Sequence, residues 1–64
     1  MTPTVTYDPT TDAAYIRLSP ERVNESEEVS PGLVLDYDAE GRIVGLEVLE
    51  ARTHLSPDLL GKAA

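Results

Sequence analysis

The sequence predicts a mainly β domain: a small antiparallel meander of about four or five strands in two hairpins, with one short C-terminal helical turn. Two similar segments indicate the hairpins, because Tyr7 to Leu18 and Tyr37 to Leu49 each run from Tyr-Asp through a turn into alternating apolar residues. The turns themselves carry Asp, Pro and Gly, which β-turns favour for their backbone preferences.

The first hairpin begins with Thr4 to Tyr7, whose β-branched and aromatic residues are typical of a short edge strand. Asp8 and Pro9 occupy the first two positions of a type I turn. The next strand is predicted over Ala13 to Leu18, where alternate residues belong to opposite faces of the sheet.

A polar segment from Ser19 to Ser26 has no apolar period and is predicted to be a loop. Glu27 to Ser30 follows as a weak strand that ends at the Pro31-Gly32 turn.

The second hairpin carries the stronger turn signal. Asp38 starts a type I turn and Gly41 supplies the left-handed residue of a glycine bulge, so Asp38 pairs with Arg42. The resulting register places Tyr37 opposite Ile43, Asp36 opposite Val44, Leu35 opposite Gly45 and Val34 opposite Leu46.

This register predicts an apolar sheet on both sides. One face carries Leu33, Leu35, Tyr37 and Ile43, and the other carries Val34, Val44, Leu46 and Val48. A helical turn over Ser56 to Gly61, with an N-cap Ser and Pro at its first position, can cover one of them. One turn is too short to hide a whole face, so the candidate that we expect for the rest is a second copy, by face packing or continued strand pairing; a different protein is the alternative.

The 64 residues are expected to form a single domain, 1–64, with 53–64 as the C-terminal connection and short helix. A chain of this length buries only about 60% of its unfolded surface. It has no cysteine for a disulfide or thiolate metal site. Self-association is then the stabiliser that we expect, which predicts a homodimer.

The charge balance of 12 acidic against 5 basic residues gives a net charge of −7. Such a surface repels phosphate backbones, so nucleic acid is not expected as a ligand. It attracts a basic protein partner or a divalent cation. With no apolar run near the roughly 20 residues of a membrane span and no secretory signal, we expect a cytoplasmic protein without membrane contact.

Residues 36–47 match the spacing of a twelve-residue calcium-binding EF-hand loop. Its four acidic positions are Asp36, Asp38, Glu40 and Glu47. The flanking residues have strand patterns, whereas an EF-hand requires helices on both sides. The interpretation that we favour is an acidic hairpin without a metal or cofactor; cation binding by these four residues is the alternative.

No catalytic constellation emerges from the remaining polar residues. Asp8 with Asp12, and Asp36 with Asp38, could be proposed as paired carboxylates, but turn aspartates usually bond to nearby backbone N–H groups. Asp36 shares a predicted apolar face, so it needs a partner such as Arg17, Arg42 or a donor from another subunit. His54, the single histidine, cannot form a histidine metal cluster.

The chain resembles a family of small bacterial proteins classified only as a domain of unknown function. The resemblance covers roughly Val5 to Arg52 and rests on these segments: Tyr7-Asp8 with DAAYIRL (Asp12 to Leu18), GLVLDYD (Gly32 to Asp38), and Gly41 with IVGLEVL (Ile43 to Leu49) and Ala51. It implies a compact, mostly β protein without an established activity and leaves out the tail from Thr53 to Ala64.

Two hypotheses follow. The first is a noncatalytic, dimeric interaction module whose acidic surface docks a basic partner, such as a toxin encoded beside it. The second is a divalent-cation-binding or accessory enzymatic domain that uses the acidic turn from Asp36 to Glu47.

Overall fold

The computed structural model describes residues 2–63, which form an antiparallel sheet packed against two short helices. The strands are β1 (Thr4–Asp8), β2 (Ala13–Arg17), β3 (Glu25–Ser30), β4 (Leu33–Tyr37) and β5 (Ile43–Leu49), and the helices are α1 (Ala51–His54) and α2 (Pro57–Gly61). The predicted fold class is confirmed. The predicted domain, 1–64, also includes Met1 and Ala64, which lie outside the described residues.

The strand order across the sheet is β1-β2-β5-β4-β3, with every neighbouring pair antiparallel. The two halves of the chain therefore join through β2 and β5, not through consecutive strands. Composition explains this order, because β5 (IVGLEVL) is strongly apolar and gains most from a central position. The polar β3 (ESEEVS) lies at the edge, with all six residues exposed.

The turn between β4 and β5 has the predicted glycine bulge. Gly41 has a φ of 80°, the Asp38 N–H donates to the Arg42 carbonyl at 2.8 Å, and Tyr37 lies opposite Ile43. These three predictions are confirmed because the turn residues alone specify the geometry.

The predicted register is wrong beyond Ile43, because a second bulge shifts β5 by one residue. Asp36 lies opposite Gly45 and not Val44. The remaining pairs are Leu35 with Leu46, Val34 with Glu47 and Leu33 with Val48. Val44 is the extra residue: its side chain is buried, and its carbonyl accepts the N–H groups of Leu18 and Ser19 at 3.0 and 3.2 Å.

The shift separates apolar from polar side chains, because cross-strand partners share a face of the sheet. The apolar face carries Val5, Tyr7, Ala14, Ile16, Leu33, Leu35, Tyr37, Ile43, Leu46 and Val48, and edge strand β3 adds Glu25 opposite Tyr37 and Glu27 opposite Leu35. The polar face carries Thr4, Thr6, Asp8, Ala13, Tyr15, Arg17, Ser26, Glu28, Val34, Asp36, Gly45, Glu47 and Leu49. The prediction of two apolar faces, with Leu46 and Val48 beside Asp36, is therefore wrong.

The core lies between the apolar face and the helices. Ala14, Val48 and Ala51 are at most 2% exposed, and Leu55 and Leu60 from the C-terminal segment pack against them. From the sheet, three further apolar side chains join this core: Tyr7, Leu33 and Leu46.

Helix α2 is the predicted C-terminal turn and is confirmed. The Ser56 hydroxyl accepts the Asp58 N–H at 3.1 Å, and Pro57 occupies the first turn.

Helix α1 was not predicted, and it begins at Ala51, before the expected boundary at residue 53. Glu50 has a φ of 52°, so the chain reverses directly after β5 and brings Ala51 onto the apolar face. The Ala51 N–H donates to the Asp12 carbonyl at 2.9 Å. In the described part of the chain no side chain caps this helix, and its N-cap residue is Glu50, which is not a favoured N-cap, so the sequence carries no start signal for it.

The two helices cover only part of the apolar face. Val5, Ile16, Leu35, Tyr37 and Ile43 lie on that face but outside the core cluster. Ile43 is 47% exposed, while Val48 at the covered end is fully buried. These five residues are called the open end below.

Candidate functional site

The polar face centres on Asp36, which is 8% exposed. Its Oδ2 accepts the Tyr15 hydroxyl at 2.8 Å, and its Oδ1 accepts the Ser26 hydroxyl at 2.6 Å. Ser26 lies directly opposite Asp36 on β3, whereas Tyr15 reaches across β5 from β2. Tyr15, Ser26, Asp36 and Gly45 are called the Tyr15 cluster.

A donor to Asp36 from another subunit stays a prediction, whereas within the chain the predicted pairing of Asp36 with Arg17 or Arg42 is wrong, since its partners are the hydroxyls of Tyr15 and Ser26. The second bulge is the reason, because it places Gly45 opposite Asp36. A Cβ at Gly45 would overlap the Tyr15 hydroxyl, so the tyrosine crosses β5 over the space that glycine leaves. An isolated glycine in a strand pattern signals such a close approach, and the sequence reasoning missed it.

Tyr15 is a hydrogen-bond donor in this cluster. Burial raises the pKa of Tyr15 above its usual value, and the hydrogen bond to Asp36 raises it further. The phenol therefore keeps its proton at neutral pH. This arrangement suits a structural cross-link between β2 and β4 better than a general base, which needs to accept a proton near the working pH.

A second tyrosine–aspartate pair joins the first turn to helix α1. The Tyr7 hydroxyl donates to Asp12 Oδ1 at 2.7 Å, and the backbone N–H of Arg52 donates to the same oxygen at 3.1 Å. Arg52 Nε also lies 3.4 Å from it. The Tyr7 hydrogen bond is the largest cause that holds the pKa of Asp12 below its usual value, with the Arg52 backbone also contributing. Asp12 therefore acts as an ionised anchor for α1.

Asp38 stabilises its own turn. Its Oδ1 accepts the backbone N–H groups of Glu40 and Arg42, both at 2.9 Å, and its Oδ2 accepts Arg42 Nε at 3.3 Å. The Arg42 backbone N–H is the largest cause that lowers the pKa of Asp38. Both carboxylate oxygens of this buried side chain are thus engaged within one turn.

The four acidic residues of the calcium-site alternative have different neighbours. Asp36 is held in the Tyr15 cluster and Asp38 in its turn, while Glu40 is exposed and pairs with Arg42 at 3.1 Å. Glu47 is exposed on the polar face, opposite Tyr15. Strands β4 and β5 flank the loop, and within residues 2–63 no three His, Cys, Asp or Glu side chains are grouped for a metal ion.

The remaining polar candidates also contact the backbone. Asp8 Oδ1 accepts the Thr10 N–H at 2.9 Å, which is the turn role expected of it. His54 ends α1, with its Nδ1 3.1 Å from the Leu49 carbonyl oxygen and 3.2 Å from that of Glu50. Throughout the described part of the chain, every buried side-chain nitrogen or oxygen has a hydrogen-bond partner.

One concave feature lies at the β1 edge of the sheet. It is a groove of about 500 Å³ lined by Tyr7, Arg52, Leu55, Pro57, Leu60 and Gly61. Its walls are predominantly apolar, with the Arg52 guanidinium as their charged group. Strand β1 supplies Tyr7 to this groove, α2 supplies Pro57, Leu60 and Gly61, and Arg52 and Leu55 complete it.

The fold and these contacts define a small antiparallel β-sheet domain in which Asp8, Asp12, Asp36 and Asp38 make structural hydrogen bonds. A family model described as a protein of unknown function, DUF2283, matches residues 4–52, and the chain belongs to this family. Membership in a family of unknown function is thus confirmed. No curated protein and no solved structure matches the chain.

Among residues 2–63, no helix has both the length and the apolar character needed to cross a membrane.

Proposed function

We propose that this protein is a noncatalytic, homodimeric interaction module whose acidic surface binds a basic protein. The observation that carries the proposal is the incomplete cover of the apolar face. The helices pack at one end of it, while the open end keeps Ile43 47% exposed and Val5, Ile16 and Leu35 only partly buried. Contiguous apolar surface of this kind favours association.

The hydrogen-bonding pattern supports a role without catalysis. Asp12 anchors α1, Asp38 closes its turn, and Asp36 links Tyr15 to Ser26. A catalytic carboxylate pair needs a pocket that pushes two pKa values apart. The hydrogen bonds that lower the pKa values of Asp12 and Asp38 come from Tyr7 and α1 for Asp12 and from its own turn for Asp38, which supports a structural role for each carboxylate.

The distribution of charge supports a basic partner. Edge strand β3 carries Glu25, Glu27 and Glu28, all of them exposed, in a chain of net charge −7. Complementary charge accelerates encounter and selects partners. A partner with lysine or arginine residues in an exposed segment fits this edge.

Light scattering tests the dimer: the intact chain is expected at twice its 6.9 kDa mass at micromolar concentration. A monomer mass would contradict the proposal. The partner is tested by capture from the native host with wild type and with a Glu25→Lys/Glu28→Lys variant. A basic protein retained by wild type, released by added salt and lost by the variant supports charge-directed binding; equal retention by both contradicts it.

A further inference from the structure

The sheet has two edges with opposite character. Among residues 2–63, strand β1 pairs only with β2 and β3 only with β4, so each presents a row of backbone N–H and C=O groups outwards. Such a row is a template for another strand. The side chains next to it decide which strand can pair there.

Edge β3 is unsuited to a second copy of itself. An antiparallel pairing about a two-fold axis at Glu27 would place that glutamate opposite its own copy, with Glu25 and Glu28 close by. Like charges directly opposite destabilise a strand pair. The register between β3 and β4 also shifts between Glu28 and Ser30, and such a bulge disrupts an edge.

Edge β1 has side chains that suit self-pairing. Its sequence is TVTYD, so a two-fold axis at Thr6 places Thr6 opposite its copy and Val5 opposite the copy of Tyr7. Thr–Thr pairs and pairs of an aromatic with a β-branched residue are both favourable in antiparallel sheets. The single charged residue, Asp8, would lie opposite Thr4.

The same axis brings cover to the part of the open end that lies nearest β1, namely Val5 and Ile16. Tyr7 and the α2 residue Leu60 line one groove at the β1 edge. Because Tyr7 of the second copy would lie opposite Val5, that copy's α2 would approach Val5 and its sheet neighbour Ile16. Each copy would then bring its α2 towards Val5 and Ile16 of the other copy.

From these observations we infer that a second copy pairs along β1, antiparallel about Thr6, and joins the two sheets into one. This inference rests on the proposed homodimer and specifies its interface. A two-fold pairing of identical edges closes on itself, whereas pairing β1 with the β3 of another copy would propagate into a filament. The acidic β3 edges remain at the two outer ends, accessible to a basic partner.

Two matched substitutions test the interface. Thr6→Lys places like charges across the axis and lowers the negative net charge by one, so overall repulsion does not increase. Ser30→Lys makes the same charge change on exposed edge β3. We expect Thr6→Lys to weaken the dimer on the order of tenfold by light scattering against dilution, and Ser30→Lys to leave it unchanged. Circular dichroism checks that both variants fold.

A cross-linking measurement does not depend on a destabilising change. The chain has no cysteine, so Thr6→Cys introduces its single thiol. Residues opposite each other in an antiparallel pair have Cα separations of about 4.5–5.5 Å, within the range of a disulfide. Mild oxidation should therefore link Thr6→Cys chains into dimers and leave Ser30→Cys chains unlinked.

The outcomes separate the two proposals. A wild-type monomer contradicts the homodimer and with it the interface. A wild-type dimer that tolerates Thr6→Lys and links through Ser30→Cys, or through neither cysteine, overturns the β1 interface alone. A wild-type dimer that loses affinity with Thr6→Lys and links through Thr6→Cys supports both.

Discussion

The two faces of this sheet are stabilised by different physics. On the apolar face, Val48 and Ala14 are buried under the helices, and stability there depends on how completely the side chains fill the core. On the polar face, Tyr15 crosses Gly45 to reach Asp36, and stability there depends on the geometry of hydrogen bonds. The difference originates in β5, where the bulge at Val44 sends Leu46 and Val48 to one side and Gly45 and Glu47 to the other.

The largest expected effect comes from closing the space over Gly45. Gly45→Ala should destabilise the fold by about 2–4 kcal/mol, because the new Cβ overlaps the Tyr15 ring and displaces its hydroxyl from the buried Asp36 carboxylate. Urea unfolding measures the change. In a Tyr15→Val background the same substitution should cost much less; an equal cost in both backgrounds would show that Tyr15 is not the obstacle.

Truncating the apolar face should cost less, and its effect should depend on position. Val48→Ala removes two methyl groups from a fully buried site and is expected to cost about 2 kcal/mol. Ile43→Ala at the open end removes more volume but should change the stability of the monomer by only about 0.5 kcal/mol. Urea unfolding at a concentration where the chain is monomeric compares them; equal losses would mean that the open end is covered within the monomer.

At acid pH the protein should lose the stability that comes from carboxylates accepting backbone N–H groups, because these carboxylates become protonated. The pKa of Asp38 is lowered in the folded state, so its contribution to stability is present above the unfolded pKa of about 3.9 and is lost as the pH falls through the lower folded value. Wild type should therefore exceed Asp38→Asn in stability at neutral pH, and the gap should narrow below about pH 4.

Thermal unfolding across that pH range measures this gap. Glu21→Gln, in the exposed loop after β2, serves as the control. A gap between wild type and Asp38→Asn that stays constant down to about pH 2 would contradict the assignment of Asp38.

The smallest expected effect is the heat of calcium binding. Because Asp38 already accepts three N–H groups and Asp36 two hydroxyls, we expect no heat in calorimetry at millimolar calcium. Heat that disappears in an Asp38→Asn/Glu40→Gln variant would favour the cation-binding alternative over the acidic hairpin.

Local signals predicted much of the fold. The Asp38 to Gly41 turn, the edge strand β1 and the Ser56-Pro57 helix start were all predicted correctly, since each depends on the backbone preferences of a few adjacent residues. Strand β3 begins two residues before its predicted start, at Glu25, because its pairing with β4 and not its own composition orders it.

The candidate site was only partly predictable. The turn roles of Asp8 and Asp38 follow from their positions at the starts of turns. The hydroxyl partners of Asp36 do not, because Tyr15 and Ser26 reach it from two other strands whose order and register the sequence leaves open. Gly45 was the available signal, as a lone glycine within an apolar strand.

The amino-acid sequence by itself determined the antiparallel hairpins, the acidic surface and the helix that starts at Ser56, because these depend on composition and on contacts within a few residues. The tertiary structure decided which residues share a face. Val48 and Ala51 are buried against Ala14, and this burial stabilises three features together: the bulge at Val44, the left-handed conformation of Glu50 and the pairing of β2 with β5. That burial depends on contacts between distant parts of the chain, and no local preference specifies them.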